Sequence, residues 1–482
     1  MSAMSRRALL TTTAGVAAGL AVPGCGTDTG GTSGSAPNAR KTGEHSSGSA
    51  RQAPAKTVRL IGDGSTADTG PQPGQPLVDR LEPGQTPPQF VIFSWDGAGE
   101  IGNGLFSRFR KLADDNGAKM SFFLSGLYLL PEDKKLQYAP PNSPLGASDI
   151  GYLEDDHIRM TLDNLRQAWN AGHEIGTHFN GHFCAGSGSV ARWTPADWKS
   201  EIDQAVAFVT QWKTNTGWQD EEPLPFDYAR QLTGGRTPCL LGQDNLLPTA
   251  SALGWRYDCS SPGGDQIWPS KRMGVWDFPL QLIPFPGHSF EVLSMDYNML
   301  ANQSHAATSS DPRNYPGWRS QATASYIAGF ERAYETNRAP LYIGNHFEAW
   351  NGGIYMDAVE EAFKHIASQD HKDVRMVSFR QFTDWLDAQD PAVLDRLREL
   401  EVGQQPIGGW REFMRDLPSS DATGNTPSTA NAPSTGNTPD TPATPSAGNS
   451  PDAPPTGDVP LTGGTTDITG QSPTTAGATD AA

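Results

Sequence analysis

The chain has 482 residues, including 52 glycines and 39 prolines, and its formal net charge is −18. Residues 86–420 carry most of this negative charge without a cluster of Lys or Arg, and because such a surface repels phosphate backbones, we expect no nucleic-acid partner. No Walker sequence follows a predicted strand, which disfavours ATP chemistry.

The first 24 residues are predicted to be an export signal. Arg6 and Arg7 form the twin-arginine pair of a Tat-type signal. The apolar stretch 8–22 has 15 residues, too few for a helix to span the ~30 Å hydrocarbon layer. Residues 22–25 read Val-Pro-Gly-Cys, which resembles the lipobox of bacterial lipoproteins. We therefore expect a lipid on Cys25 that holds the exported protein on the outer face of the cell membrane, and the alternative is an uncleaved anchor.

Composition divides the remaining chain into four regions. Residues 25–56 are predicted to be a flexible tether, and residues 57–89 an extended arm rich in Pro and Gly. Residues 90–416 form the predicted folded core. Residues 417–482 are predicted to be disordered, because the sequence from Asp421 onward has ten prolines and no aromatic residue, Cys, His, Met, Lys or Arg. We expect the protein to be a monomer.

Strands and helices alternate along the predicted core. Apolar and β-branched runs predict strands at 90–94, 120–124, 173–177, 235–237, 256–258, 275–285, 292–295, 341–344 and 374–378. Helical spacing and capping residues predict helices at 105–116, 161–169, 195–212, 244–253, 321–334, 356–367 and 381–388. The alternation indicates parallel βαβ units, so the fold class is α/β, and about seven units favour a barrel. Residues 126–160 are acidic, Pro-rich and irregular, which is typical of a functional insertion.

Polar residues follow several of the predicted strands, and in a βα barrel such positions converge on one mouth. Asp96 ends the first strand, while His178 and His182 follow the third in an HxxxH pattern. Two histidines at this spacing can share an ion when the segment is helical or tightly turned, and one carboxylate with two imidazoles suits a divalent transition metal. Each residue alone also has an ordinary explanation, as a turn former or a packed ring.

Two further polar residues are candidates for catalysis. His346 follows the strand at 341–344 and is suited to general acid catalysis, because imidazole changes protonation near neutral pH; alternatively it packs against Trp350. Arg236 follows Gly235 and either orients a carboxylate or forms a surface ion pair.

The predicted core contains three cysteines, which permit one disulfide and leave one thiol. Cys184 and Cys239 can pair, as can Cys239 and Cys259, and the spacing alone does not choose between them. No CxxC pair is present, so the sequence does not predict a structural zinc ribbon.

Together these residues resemble the polysaccharide deacetylase superfamily (the NodB-homology domain), which includes chitin and peptidoglycan deacetylases. The resemblance extends from about Phe90 to Asp387. The segment Gly-His-Glu-Ile-Gly-Thr-His at 172–178, with His182, matches the second motif of that family. The matches to the third, fourth and fifth motifs are shorter: Gly235-Arg236-Thr237-Pro238-Cys239, Tyr257-Asp258-Cys259-Ser260 and Asn345-His346.

The resemblance implies a distorted (β/α)7-type barrel and a metal-dependent hydrolase that removes N-acetyl groups from a GlcNAc-containing cell-wall or chitin-like glycan. Asp96, His178 and His182 would then be ligands of the metal, which we expect to be Zn²⁺, with Co²⁺ or Ni²⁺ as alternatives. His346 would be the catalytic acid that protonates the departing amine. Cys239 replaces an aromatic residue of the third motif, which favours a bridge to Cys184 beside the second.

One departure from the family pattern concerns the general base. The first motif of the family has two adjacent aspartates, a base followed by a ligand, whereas this chain has Trp95-Asp96. Tryptophan accepts no proton, and Arg236, which braces the base in the family, would lose its partner. We therefore expect Glu100 to be the base or the metal hydroxide to act unaided. The competing hypotheses are a glycan-binding lipoprotein without activity and a hydrolase of another non-peptide C–N bond.

Overall fold

The computed structural model describes residues 58–368 and 370–417. The predicted export signal and tether lie outside these residues, as does nearly all of the predicted tail. Among the described residues, no helix combines the length and the apolar character that are needed to cross a membrane.

Within the described residues the elements follow one another in the predicted alternating manner. The strands are β1 (Arg59–Ile61), β2 (Thr66–Asp68), β3 (Gln89–Asp96), β4 (Ser121–Leu124), β5 (Glu174–Thr177), β6 (Tyr257–Asp258), β7 (Lys271–Arg272), β8 (Val275–Asp277), β9 (Leu282–Pro284), β10 (Glu291–Leu293), β11 (Leu341–His346) and β12 (Val374–Met376). The α-helices are α1 (Leu105–Asp115), α2 (Asp155–Asn170), α3 (Pro195–Thr210), α4 (Trp212–Thr216), α5 (Tyr228–Gln231), α6 (Gln243–Ala252), α7 (Asp296–Ser304), α8 (Tyr315–Glu335), α9 (Trp350–Ile366), α10 (Phe379–Ala388), α11 (Pro391–Arg398) and α12 (Gly409–Phe413).

A parallel sheet forms the centre of the fold, with the strand order β11-β3-β4-β5 and β12 paired with the start of β3. All eight residues of β3 are buried, because elements cover both faces of the sheet. Val91, Phe93 and Trp95 pack into one apolar cluster, whereas Phe90 and Ile92 pack into another. This alternation places successive side chains on opposite faces of the sheet.

The parallel central sheet confirms the predicted α/β class, and its closure into a (β/α)7-type barrel remains a prediction. Beyond β5, the predicted strand at 235–237 is reduced to an isolated bridge between Thr177 and Gly235. Beyond β11, another isolated bridge joins Gly344 to Met295. The regular ladders of the central sheet therefore end at these two edges.

The helix and strand boundaries differ from the predicted ones where local chemistry dominates. Helix α2 begins at Asp155 rather than at Thr161, and the two acidic residues in its first turn stabilise this earlier start. The predicted strand 275–285 is divided into β8 and β9, with Pro279, which has no N–H to donate to a ladder, between them. The predicted helix start at 195 is correct: the Thr194 side chain accepts from the N–H of Asp197 in a capping box.

The arm before the core is folded rather than extended throughout. Strands β1 and β2 form an antiparallel hairpin, and the N–H of Ala67 donates to the carbonyl of Leu224. The Trp212 indole N–H donates to the Ser65 carbonyl at 2.7 Å. Sequence composition alone did not indicate these contacts.

Candidate functional site

The ends of the central strands bring several of the predicted site residues together. In the pairing of β11 with β3, His346 lies directly opposite Asp96. In the pairing of β5 with β4, Thr177 lies opposite Leu124, and His178 follows at once. Because the carboxyl ends of parallel strands meet at one edge, these side chains share one end of the sheet.

Arg236 forms a buried ion pair with Asp96. Its Nη1 donates to Asp96 Oδ1 at 2.9 Å, and the two side chains are 0% and 3% exposed. Further donations from Arg236 to Ser94 Oγ and to the carbonyl of Cys259 hold the guanidinium in place. The prediction that Arg236 has no carboxylate partner is therefore wrong. Burial raises the pKa of Asp96, but the neighbouring cationic groups, Arg236 first among them, outweigh burial and leave the pKa below its usual value. Asp96 is thus ionised at neutral pH.

Trp95 does not share the environment of Asp96. Its indole N–H points to Met120 Sδ at 3.2 Å, and its ring stacks on Phe347 with the centroids 4.6 Å apart. The side chain is fully buried. Adjacent residues of a strand face opposite sides, so the carboxylate braced by Arg236 is that of Asp96, and Trp95 is a core residue.

His178 has the arrangement of a metal-ligating histidine. Its Nδ1 lies 2.8 Å from the backbone carbonyl of Arg236, which fixes the tautomer in which Nε2 carries the lone pair. That Nε2 is buried and has no hydrogen-bond partner among the described residues. Burial lowers the pKa of His178, so the imidazole is neutral, as metal binding requires.

His182 is brought back towards His178 by a tight turn. Phe179 and His182 both have positive φ angles, of 61° and 58°, and the two imidazole centroids are 5.1 Å apart. Burial, together with the neighbouring histidines, lowers the pKa of His182 to about 3. The segment from His178 to His182 is therefore tightly turned, as it must be if two histidines at this spacing are to share an ion.

The predicted three-ligand set fits a metal only in part. The buried and unpaired Nε2 of His178 fits, as does the neutral ring of His182. Among the described residues, however, the ligand atoms that all lie within 4.8 Å of one another belong to a different group, His182, Cys184 and Cys239. The negative charge of Asp96 acts on both histidines and raises their pKa values in opposition to burial. Its Oδ1, however, accepts a hydrogen bond from Arg236. The two histidines are thus the better-supported ligands.

His346 is held by a carboxylate that the sequence analysis missed. Its Nδ1 lies 2.8 Å from Asp296 Oδ1, and its backbone N–H donates to Asp296 Oδ2 at 2.7 Å. Burial lowers the pKa of His346, but the charge of Asp296 outweighs it and raises the pKa to about 9. The imidazole is therefore protonated at neutral pH. Asp296 directly follows the predicted strand 292–295, and this position was the available signal.

Glu100 has a structural role. Its Oε1 accepts the backbone N–H groups of Gly102 and Gly104, each at 3.0 Å, and its own N–H donates to Thr161 Oγ1 at 2.8 Å. The carboxylate thus organises the loop before α1 and is only 2% exposed. The structure therefore does not support the base role predicted for Glu100, because these contacts hold its carboxylate inside the loop before α1.

The disulfide favoured by the family resemblance is confirmed. Cys184 and Cys239 are bonded, with their Cα atoms 5.9 Å apart, and Cys259 is free and buried. The bridge joins the segment that carries His182 to the segment that follows Arg236. It therefore ties together two loops of the site.

No protein-family model matches the sequence, and the search of curated proteins gives no match. Among solved structures, a proposed polysaccharide deacetylase from Mycobacterium smegmatis is 12% identical, with a TM-score of 0.38, and the match covers 65% of this chain and 96% of that one. The peptidoglycan deacetylase PdaC from Bacillus subtilis is 11% identical, with a TM-score of 0.31 and coverage of 65% and 96%.

A polysaccharide deacetylase from Bacillus cereus is also similar, at 11% identity and a TM-score of 0.31, with 60% of this chain and 92% of that one covered. These identities and TM-scores assign no role to any residue, so the residue roles that we propose are argued from the contacts within this chain. The structures that the chain is similar to thus include polysaccharide deacetylases, the family whose motifs its sequence resembles.

Proposed function

We propose that this protein is a metal-dependent hydrolase that removes N-acetyl groups from a GlcNAc-containing cell-wall or chitin-like glycan. One observation carries the hydrolytic part: an ionised carboxylate, Asp96, and a protonated imidazole, His346, lie opposite each other at the ends of neighbouring strands. The substrate class follows from the motifs that the sequence shares with polysaccharide deacetylases. Trp350, whose ring centroid is 5.4 Å from that of His346, offers an apolar surface for a sugar ring.

The metal would be held by His178 and His182. A divalent transition metal bound there would act as a Lewis acid on the acetamide group. The tautomer of His178 is fixed by the Arg236 carbonyl, so its free Nε2 is already aimed as a ligand. Zn²⁺ suits neutral imidazoles, and Co²⁺ or Ni²⁺ are the alternatives.

We assign the role of general base to Asp96 in place of Glu100. Arg236 keeps this carboxylate ionised and fixes its orientation through Oδ1. The carboxylate would accept a proton from the attacking water as the water adds to the acetyl carbonyl. Arg236 acts as a positioning residue, because it contacts the base and not the substrate.

His346 would act as the general acid. Asp296 occupies its Nδ1, so Nε2 is the nitrogen left to donate a proton to the departing amine. The raised pKa keeps this proton on the ring at neutral pH until the amine develops basicity. Asp96 and His346 thus divide the two proton transfers between them.

The direct test is acetate release from chitin oligomers and from peptidoglycan, with and without a chelator. We expect release from at least one substrate, its loss on chelation and its return when Zn²⁺ is added. Absence of release from every acetylated glycan would refute the proposed activity.

The base assignment is tested by Asp96→Asn, with Glu100→Gln as the matched control. General-base loss typically costs ~10²–10⁴ in rate, so Asp96→Asn should lose this factor while keeping its metal, and Glu100→Gln should retain turnover. Loss of metal from Asp96→Asn would show instead that Asp96 is a ligand.

The metal assignment is tested by elemental analysis of His178→Ala and His182→Ala. Each variant should contain far less than one equivalent, because a single remaining imidazole holds a labile ion poorly. Full metal content in either purified variant would contradict the assignment.

A second function is favoured by one observation: no third carboxylate, histidine or cysteine among the described residues completes a close ligand group with His178 and His182. If the metal is bound too weakly to act, the chain would be a glycan-binding protein without activity. Binding of an acetylated glycan with no acetate release at saturating Zn²⁺ would favour this alternative.

We also propose that the protein is exported and anchored to the outer face of the cell membrane by a lipid on Cys25, a residue outside the described part of the chain. The twin arginines and the Val-Pro-Gly-Cys segment support this location. Cys25→Ser should move the protein from the membrane fraction to the soluble fraction. Identical partition of the variant and the wild type would exclude the anchor.

A further inference from the structure

A disulfide lies at the rim of the site and shares its surroundings with one of the histidines. Cys184 follows His182 by two residues, and Cys239 follows Arg236 by three. Cys239 is exposed and Cys184 is partly buried, so the bond is accessible to a dissolved reductant. The third described cysteine, Cys259, is buried and donates to the carbonyl of Gly235.

The donor atoms of His182, Cys184 and Cys239 all lie within 4.8 Å of one another. His182 Nδ1 is 3.5 Å from Cys184 Sγ. A tetrahedral zinc ion, with Zn–S near 2.3 Å and Zn–N near 2.1 Å, separates its nitrogen and sulfur ligands by about 3.6 Å. The nitrogen and one sulfur therefore already have the separation that a shared zinc ion requires.

We propose that the reduced form of this protein binds a thiophilic divalent cation, such as Zn²⁺, between His182, Cys184 and Cys239. The three side chains provide one imidazole and two thiolates, a ligand set that leaves the fourth tetrahedral position open. The disulfide form lacks this site, because its sulfurs are bonded to each other and carry no negative charge. The redox state of the bridge thus determines whether the cation is held.

The chemistry requires a reductant, which is a dithiol. The dithiol transfers two electrons to the S–S bond and two protons to the released sulfurs, and it becomes a cyclic disulfide. The cation then displaces the two thiol protons as it binds. For both sulfurs to contact one zinc ion, they must separate to about 3.8 Å. The Cα separation of 5.9 Å lies within the usual span of paired cysteines, so rotation of the side chains can accommodate this movement.

This site shares His182 with the proposed catalytic one, but it does not depend on the proposed function. The catalytic metal would also need His178, whereas the thiolate site uses Cys184 and Cys239 with the Nδ1 atom of His182. A variant that removes His178 therefore separates the two sites. The test described next detects cation binding through sulfur, so its result does not depend on whether the protein releases acetate.

The experiment is a Co²⁺ titration of the full chain carrying Cys25→Ser, before and after treatment with dithiothreitol followed by its removal without air. Thiolate-to-cobalt charge transfer gives an absorption band that imidazole and carboxylate ligands do not give. We expect no such band in the disulfide form and a band that saturates at one equivalent in the reduced form. Addition of Zn²⁺ should remove the band, since Zn²⁺ binds such sites more tightly than Co²⁺.

Four variants test the ligands in the same background. Cys184→Ser and Cys239→Ser should each abolish or strongly weaken the band, and His182→Ala should weaken Co²⁺ binding at least tenfold. His178→Ala is the control and should leave the band unchanged. Cys259 is present in every sample, so a band that survives in both serine variants would assign the signal to another thiol and overturn the proposal.

Three other results would also overturn the proposal. These are equal bands in the oxidised and reduced forms, equal weakening by His178→Ala and His182→Ala, and loss of the folded circular dichroism spectrum on reduction. The last would show that the loops keep this geometry only while the bond is intact.

Discussion

Glu201 lies beneath the turn that carries the two histidines, and its ionisation should affect the stability of the whole fold. The carboxylate is fully buried. The Tyr138 hydroxyl donates to both of its oxygens, at 3.0 and 3.1 Å, and the same hydroxyl accepts the backbone N–H of Gly181. Asn180 donates to the Glu201 backbone carbonyl. Asn180 and Gly181 lie between His178 and His182.

Burial raises the pKa of Glu201 from its usual 4.5 to about 7, although its hydrogen bonds oppose the shift. Between these two pH values the folded protein binds more protons than the unfolded chain, so stability is lost as the pH rises through this interval. A shift of this size corresponds to about 3 kcal/mol at pH values above 7, since one pKa unit is worth ~1.4 kcal/mol.

Glu201→Gln removes the titrating group and keeps an acceptor for Tyr138. We expect the variant to lack this loss, so that its stability relative to the wild type improves by about 3 kcal/mol between pH 4.5 and pH 7. Urea unfolding of the metal-free proteins across this pH range measures the difference in unfolding free energy between the variant and the wild type. The contributions of the other titrating groups cancel in this difference, because both proteins contain them. Asp203→Asn, an exposed change on the same helix, should follow the wild type. Parallel curves for Glu201→Gln and the wild type would refute the assignment of a raised pKa.

Asp296→Asn should lower the pKa of His346 from its value of about 9, because the charge that stabilises the imidazolium is lost. The alkaline limb of the pH–rate profile for acetate release should then move to lower pH, and an unmoved limb would show that His346 is not the acid. Glu100→Gln should retain turnover but lose about 1–2 kcal/mol of stability in urea, because the loop N–H groups lose a charged acceptor. A stability equal to that of the wild type would contradict the structural role.

The sequence predicted the order and type of the central elements well, because β3 and β11 contain apolar runs of the kind found in a buried parallel sheet. It also placed Asp96, His178 and His346 at strand ends, which one edge of the sheet brings together. The predicted disulfide is correct, although the family resemblance, and not the spacing, favoured that pairing.

The errors arose where the partner of a side chain lies far away in sequence. Asp96 and Arg236 are 140 positions apart, and only the fold shows that they meet. Glu100 was chosen for its closeness to Asp96 in sequence, but the direction of its side chain depends on Gly102 and Gly104. Asp296 was missed because a carboxylate after a short strand is common, and its contact with His346 spans 50 positions.

The pairing of β3 with β11 also has a consequence for synthesis. Val91 pairs with Leu341, so about 250 residues must be translated before β3 receives this neighbour. At ~5–20 residues per second this delay is roughly 10–50 s. During that time the eight residues of β3, all buried in the final structure, present an unpaired apolar edge that can join another chain. Fragments that end before Leu341 should therefore aggregate more readily than the full chain.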